Sequence, residues 1–583
     1  MIKVENLSYS YPQKNLYENI SFTIEEGNHC AFIGSSGSGK STLINIIMDP
    51  EEIMFKGKVE VLKNCKIGYV SQFSELDKRS EITVFEFIAD KFLMIQNKID
   101  LICKKMENSL DIESLLEEYQ NYLDEFDAID GNNFENNINS KLSLVNLLKN
   151  RNLKVSELSG GEFKLIQVIK EMLTNPDLII IDEPDVFLDF ENLNSLRKLI
   201  NSHKRTLLII THNRYLLDHC FNKVLHLENM KIQEFEGKYV DYNFSLLQTK
   251  IEMQELAFED EEEIKRNEKI IDKLRSLSTD IDDASLGRAL KARVKIQERL
   301  EKNKTKAPFV DIRKIKIDLE TDNIIEESVA LKVSNYSLVF DEILLENIDF
   351  EIKSNEKVAI IGSNGTGKTT FLRDIFYRDT KSIELNKDID IAYLSQIQGE
   401  TLNESKTIID EFLDSGFDSI EEIRKYLLNY GFDKTNIEQN ISSLSGGEKN
   451  ILQIAKVASK KTGMLLLDEP TSHLDIYSQI ELERALKEYK GSIIMVSHDY
   501  YSIANCMDYV LLVEDNKIRK MSMRKFRKMI YANHFDKDYL EVEQKKKAIE
   551  LKIAKALEKN NFELAKDLIV ELEDILKIFS KMI

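Results

Sequence analysis

An ordered set of short motifs occurs twice in this chain, at the same internal spacing. Leu158 heads the first LSGGE and stands 24 positions before Asp182; Leu444 heads the second and stands 24 before Asp468. From Asp182 to His212 is 30 positions, and from Asp468 to His498 is 30 again. Self-similarity at fixed spacing marks a duplicated unit, so the chain must fold as two copies of one domain with a connector between them. Its 583 residues exceed what one core supports, and at roughly 100–200 residues per domain they allow three to five units. A hydrophobic fraction of 42% suffices for globular cores.

Each copy carries a glycine-rich turn set between a strand and a helix. The first is Gly34-Ser35-Ser36-Gly37-Ser38-Gly39-Lys40-Ser41, followed by Thr42; the second is Gly362-Ser363-Asn364-Gly365-Thr366-Gly367-Lys368-Thr369, followed by Thr370. Both fit G-x-x-x-x-G-K-[ST]. The bare glycines let backbone N–H groups converge on phosphate oxygens, and the helix start adds partial positive charge. Lys40 and Lys368 would reach the β- and γ-phosphates, and the Ser41 and Thr369 hydroxyls would ligate Mg²⁺. Gln72 in IGYVSQ and Gln396 in IAYLSQ end strands at similar places, where a side-chain oxygen would complete the Mg²⁺ shell or hold the attacking water.

Further on, Ser159-Gly160-Gly161 and Ser445-Gly446-Gly447 open helices in a way that suits a γ-phosphate. Buried strands then end in Asp182-Glu183 and Asp468-Glu469. The aspartates would hold Mg²⁺ and the glutamates would polarise the attacking water. His212 and His498 follow at matched positions, placed to sense the γ-phosphate; His203 and His219 have no such counterpart and read as ordinary.

These residues resemble the ATP-binding cassette ATPases. The resemblance implies an ATP hydrolase using ATP and Mg²⁺, α/β in class, with two P-loop nucleotide-binding domains closing head to tail within a monomer. Ser445 would then complete the site built on Lys40, and Ser159 the site built on Lys368. Adenine would stack on Tyr11 and Phe340, and Asp189 and Asp475 match the aspartates that cross-link the sites.

The halves differ in length. Gln72 to Leu158 spans 86 positions and Gln396 to Leu444 spans 48, which leaves a 38-residue insertion within about 81–148, helical by its apolar spacing. It reads as a helical subdomain or a docking arm. The expected domains are residues 1–240, a linker 241–328, a second cassette 329–535 and a helical extension 536–583. The linker predicts two antiparallel helices, about Phe244–Leu277 and Leu286–Lys304, with a tip near 277–286 and Leu256, Ile264, Ile271 and Leu274 as seam positions. The first helix would reach roughly 50 Å. The base is acidic (EDEEE). The return segment Arg288–Lys306 holds Arg288, Lys291, Arg293, Lys295, Arg299, Lys302, Lys304 and Lys306 against Glu298 and Glu301. Such a run is either a solvated face or a finger for an RNA backbone. The chain as a whole carries −21, which argues against a generally basic nucleic-acid binder.

With this linker the resemblance narrows to the ABC-F family. It implies a protein that binds the ribosome, touches 23S rRNA and the P-site tRNA, and points its tip at the peptidyl transferase centre; DEPDVFLDF resembles the wording of some antibiotic-resistance members. Rival readings are a housekeeping translation factor, a transporter-associated ATPase and a DNA-structure binder. Five scattered cysteines without a C-x-x-C pair predict reduced thiols in a cytoplasmic protein. Neither a signal peptide nor a run of about 18 apolar residues is expected. The C-terminal stretch predicts a short helical hairpin that either touches the ribosome or caps the second cassette.

Overall fold

Continuous apolar runs such as LIIID (Leu178–Asp182) and TLLII (Thr206–Ile210) are buried at every residue, as strands covered on both faces must be. In a computed structural model of the chain they lie at the centre of a six-stranded sheet. The structure describes all residues except 12–13, 64, 73–80, 108–111, 187, 281–283, 304–314, 323–327, 341, 378–379, 434–435, 535–538 and 580–583. The sheet runs Ile67–Val70, Leu178–Asp182, Thr206–Ile210, His29–Gly34, Lys223–Glu228, Lys231–Glu236. Neighbours pair in parallel except for the final hairpin. A three-stranded antiparallel sheet of Lys14–Ile24, Ile2–Tyr11 and Lys56–Val61 shares its core, with Leu7 and Phe22 clustered with Phe32, Leu43, Ile180 and Leu208.

The second half repeats this order. Its sheet runs Ile391–Leu394, Met464–Asp468, Ser492–Val496, Lys357–Ile361, Tyr509–Glu514, Lys517–Ser522, beside an antiparallel trio of Ile343–Lys353, Val329–Val339 and Ile383–Leu385. Parallel pairing brings the C-terminal ends of adjacent strands to one edge. The phosphate loop, the acidic pair and the histidine of each half therefore meet although the sequence scatters them.

The extra length of the first half lies chiefly in the helices Val84–Met106 and Ile112–Ala128; the described α-helices of the second half in this stretch, Gln398–Thr401, Ile408–Leu413 and Ile420–Leu428, are short. A reciprocal cap starts the longer helix: the Glu86 N–H donates to Thr83 Oγ1 at 3.2 Å, and the Thr83 N–H donates to Glu86 Oε2 at 2.8 Å. Its first turns bury Phe87, Ile88 and Phe92, whereas Leu101 near its far end is 56% exposed.

The chain divides into two compact units, Met1–Glu236 with Arg313–Ile530, and Gly237–Ile312 with Tyr531–Ile583. The first holds both cassettes. In the second, the helix Tyr239–Asp280 is 42 residues long, about 63 Å, and Ala284–Asn303 returns alongside it. The outgoing helix is longer than expected at both ends. Ser278, Thr279 and Asp280 read as turn residues, but each costs only about 0.5 kcal/mol in a helix already nucleated. The tip residues 281–283 and the basic residues Lys304 and Lys306 lie outside the described residues. The seam is narrower than predicted. Ile271 is buried and Ile264 and Leu274 are half-buried, but Leu256 is 49% exposed because it falls out of their 3-4 register. Instead, Asn267 sits in the seam. Asn267 Nδ2 donates to Gln297 Oε1 at 2.7 Å and to the Arg293 carbonyl at 3.2 Å, and both carboxamides are buried.

The C-terminal residues form the predicted hairpin, Tyr539–Glu558 and Phe562–Phe579. Asn560 turns the chain at φ 53°, and Asn561 Oδ1 accepts from the Leu564 N–H at 3.2 Å. This hairpin packs against the base of the long linker helix. Phe562 meets Phe258 with centroids 5.8 Å apart, and Lys566 Nζ donates to Glu255 Oε1 at 2.8 Å. Among the described residues no helix is long and apolar enough to cross a membrane.

A buried polar pair fixes register at a cost in stability. Asn267→Ala would leave Gln297 Oε1 without its donor, although Gln297 Nε2 keeps Glu301 at 3.0 Å, making local opening of the hairpin easier by about 1–3 kcal/mol in hydrogen exchange on the intact chain. Asn267→Leu with Gln297→Leu should restore the protection.

Candidate nucleotide sites

Backbone conformation explains the glycines of both phosphate loops. Gly37 and Gly39 adopt φ 72° and 102°, and Gly365 and Gly367 adopt 82° and 85°, a region that side chains disfavour. The loops fold back on their lysines. Lys40 Nζ donates to the carbonyls of Gly34 (2.9 Å) and Ser35 (3.1 Å), and Lys368 Nζ to those of Gly362 (2.8 Å) and Ser363 (2.7 Å). Burial lowers the pKa of both lysines even though carboxylates lie nearby. An ammonium held this way is short of counter-charge, and a phosphate supplies it.

Beside each lysine stands the strand-end aspartate. Ser41 Oγ donates to Asp182 Oδ2 at 3.2 Å, and burial, helped by Glu183, raises Asp182 to about 6. Burial also raises Asp468 to about 6; Thr369 is near enough to hold that rise down, yet without hydrogen-bond geometry, so both Asp468 oxygens lack a partner among the described residues. Both ring nitrogens of His212 and the Ser38 hydroxyl are likewise buried without a partner among the described residues. Such orphans around a basic loop fit a polyphosphate. Among the described residues no group of three or more His, Cys, Asp or Glu is arranged to hold a metal ion. A cation here would draw on phosphate oxygens, one hydroxyl, one carboxamide and one carboxylate, which is the sparse protein set that Mg²⁺ accepts.

The other wall of each site comes from the opposite cassette. Ser159 and Ser445 cap the helices Gly160–Leu173 and Gly446–Ala458 through reciprocal bonds with Glu162 and Glu448. The Gly446-Gly447 turn lies on the first phosphate loop. A Cβ on Gly447 would collide with the Ser36 hydroxyl, and one on Gly37 would sit 2.9 Å from Glu448 Oε1. The Ser36 N–H donates to Asp475 Oδ2 at 3.1 Å, and Ser36 Oγ to the His473 carbonyl at 3.3 Å. At the second site Asp189 is close enough to Lys368 to favour its charged form, and the Phe190 ring meets the His498 ring edge-on at 6.2 Å. Among the described residues, a Cβ at Gly160 or Gly365 would meet nothing within 4 Å.

Glu183 and Glu469 both take left-handed backbone, φ 43° and 48°, a strain that clusters at functional positions. Their surroundings differ. Gln72 Nε2 donates to Glu183 Oε2 at 2.5 Å, and Nδ1 of His473, from the other cassette, lies 3.3 Å from both groups. Burial pushes Glu183 up, but the bond from His473 and the charges of His212, His473 and Lys40 outweigh it, so its pKa lies below the usual value. Burial and the Asp468 charge instead raise Glu469 to about 8. Its carboxylate accepts from the His498 N–H at 3.2 Å, and Gln396, half-buried, does not bond to it. Thr42 and Thr370 are half-buried in the first turns of their helices. Tyr11, at the end of its strand, and Phe340, just beyond the strand Val329–Val339, stay 49% and 62% exposed, and Tyr11 meets Tyr9 edge to face at 5.3 Å.

Some partners were not singled out from the sequence. Glu228 accepts from the Ser35 N–H at 3.1 Å and from its hydroxyl at 2.9 Å. Arg214 crosses to Glu483 and, at 3.3 Å, to Asp499 of the other half. Lys164 Nζ donates to the carbonyls of Ser71 (2.5 Å) and Gln72 (3.3 Å), while its repeat counterpart Asn450 holds those of Pro470 and Ser472. Arg214 and Lys164 stand out in the sequence only as mismatches with Tyr500 and Asn450 of the second half, whereas Glu228 is matched by Glu514 and a repeat glutamate at a strand end says nothing of its partner.

Burial, with Lys40 or Lys368 adding repulsion, lowers His212 to about 4 and His498 to about 3, from an ordinary 6.5. The unfolded chain takes up protons below 6.5 that the folded chain refuses, so these histidines remove stability as pH falls from about 6.5 toward 4. The raised carboxyls Asp182, Asp468 and Glu469 act in the opposite sense. The histidine part is thus read as a difference: between pH 7 and 5, His212→Gln with His498→Gln should show a smaller loss, or larger gain, of melting temperature than the parent.

The family described as ABC transporter matches residues 17–186 and 345–472. ABC transporter F family member 2 of Arabidopsis thaliana is 30% identical over 533 residues, covering 88% of this chain and 76% of that one. The energy-dependent translational throttle protein EttA of Escherichia coli K12 is 28% identical over 524 residues, covering 86% and 90%. The archaeal ribosome recycling factor aABCE1, solved with the ribosomal stalk protein aP1, superposes with a TM-score of 0.54 at 17% identity, over 90% of this chain and 92% of that one, a likeness of fold. Similarity of this extent, through both halves, means that the chain belongs to the ATP-binding cassette family, in its F branch, and is an ATP hydrolase.

Proposed function

We propose that this ATPase engages the ribosome in its ATP-bound, closed form and leaves it on hydrolysis. In this reading Glu183 and Glu469 orient and polarise the attacking water, with His212 and His498 beside the γ-phosphate. Lys40 and Lys368, with Ser445 and Ser159 of the facing halves, balance charge as it develops on the phosphate oxygens. Mg²⁺ would be held by Ser41, Gln72 and Asp182 at one site and by Thr369, Gln396 and Asp468 at the other, where it offsets phosphate charge. Tyr11 and Phe340 stack on adenine.

The observation that carries the ribosomal reading is the exposed basic face of the return helix. Arg288, Lys291, Arg293, Lys295, Arg299 and Lys302 are all exposed in a chain of net charge −21. A local cationic finger on an acidic protein gives backbone affinity for RNA without general nucleic-acid binding. We assign it to 23S rRNA and the P-site tRNA in the cytoplasm, with the tip directed at the peptidyl transferase centre and protection from drugs that act there as the outcome. The relative named a translational throttle protein favours a second reading, a translation factor without drug protection.

The first test is co-sedimentation of the Glu183→Gln, Glu469→Gln variant with ribosomes. ATP-dependent pelleting is expected, weakened by charge reversal at Arg288, Lys291, Arg293 and Lys295; no pelleting with any nucleotide refutes the ribosomal reading. Expression in a susceptible host then separates the two readings: raised tolerance to peptidyl transferase drugs supports protection, and unchanged tolerance with ribosome binding intact supports the factor.

A further inference from the structure

The two sites are not chemically equivalent: among the described residues, only the first receives an imidazole from the opposite cassette. His473 lies in the loop after Asp468-Glu469, at φ 60°. Its placement is fixed from both sides of the interface. Its carbonyl accepts from the Ser36 hydroxyl of the first phosphate loop, and the carbonyls of Pro470 and Ser472 before it are held by Asn450 Nδ2 at 3.2 and 2.5 Å. Two residues on, Asp475 takes the Ser36 N–H. So anchored, the ring reaches Glu183 Oε2 at 3.3 Å, with Gln72 Nε2 at the same distance from Nδ1. A carboxylate only accepts, so Nδ1 carries the proton and donates. His473 is 14% exposed and Glu183 18%.

By the repeat, Phe187 occupies the corresponding sequence position in the first half and Lys164 replaces Asn450. Phe187 lies outside the described residues, but a benzyl side chain has no N–H, so it cannot offer Glu469 this bond. Glu469 takes the backbone N–H of His498 instead.

We propose that His473 is a positioning residue for hydrolysis at the first site: when the cassettes close, it fixes Glu183 against Gln72, and no equivalent group serves the second site. The bond spans the interface, so opening the sandwich at the first phosphate loop removes it. Closure and alignment of the water-polarising carboxylate are thereby coupled at one site. The inference deepens the assignment of Glu183 and does not depend on the ribosomal partner, so it is tested on ribosome-free protein.

Glu469→Gln isolates the first site and Glu183→Gln the second, provided each parent retains ATPase activity. In the Glu469→Gln background, His473→Phe should lower kcat about tenfold with KM for ATP within about twofold. His473→Asn, whose amide nitrogen falls near Nδ1, should restore most of it. In the Glu183→Gln background the same substitutions should leave kcat nearly unchanged. No loss with His473→Phe, equal losses at both sites, or a loss that asparagine does not rescue would each overturn the proposal. Melting curves identify a variant that fails to fold; if His473→Phe does, His473→Gln, which cannot present nitrogen at the Nδ1 position, takes its place. An inactive Glu469→Gln parent would refute the assignment of Glu183 as a sufficient base, separately from the role of His473.

Discussion

Anion hunger of a half-built cradle governs this structure. Each phosphate loop gathers N–H groups around a buried lysine whose hydrogen bonds, among the described residues, go to backbone carbonyls, and the capped helix start that faces it belongs to the other half. Neither cassette alone encloses a triphosphate. A nucleotide seated on either loop would touch both halves, so its binding would favour their joining. The close approach at Gly447 and Ser36 shows how little room that joint leaves.

Duplication made the two sites similar, and divergence at the interface made them different. The first is sewn shut through Ser36, His473 and Asp475. The second, among the described residues, shows no close contact at Gly160 or Gly365 and has a glutamate whose burial is not offset by a cationic or hydrogen-bonding neighbour of the same strength. Arg214, buried between Glu483 and Asp499 of the opposite half, ties the segment after His212 to the segment after His498. A buried ion pair contributes little net stability, so its consequence is geometric: it holds the segments that follow His212 and His498 against each other across the interface.

The second unit obeys a different rule. Its hairpin carries a polar pair, Asn267 and Gln297, where apolar residues would pack more strongly, and thereby fixes which residues face which. The C-terminal helices lie along the base of the outgoing helix through Phe258, Phe562, Glu255 and Lys566. That support stiffens the base while leaving the basic face of the return helix exposed.

The duplicated α/β architecture, the insertion, the hairpin and the glycine-rich loops were legible in the sequence alone, because these follow from local spacing, from backbone sterics and from buried apolar runs. The sequence placed helix ends less well, as at Ser278–Asp280, where weak local propensity gave way to a helix already formed. It also misjudged Leu256, because an apolar residue in a helix says nothing of which face finds a partner. Only tertiary structure decided how Glu183 and Glu469 differ. Their sequence neighbourhoods differ at Phe187 against His473 and at Lys164 against Asn450, but nothing in those differences says that the His473 ring crosses to Glu183 or that Asn450 holds its loop, because the partners lie in other loops or in the other half. Such contacts depend on how surfaces far apart in the chain are brought to within 3 Å or so, and no local pattern encodes that.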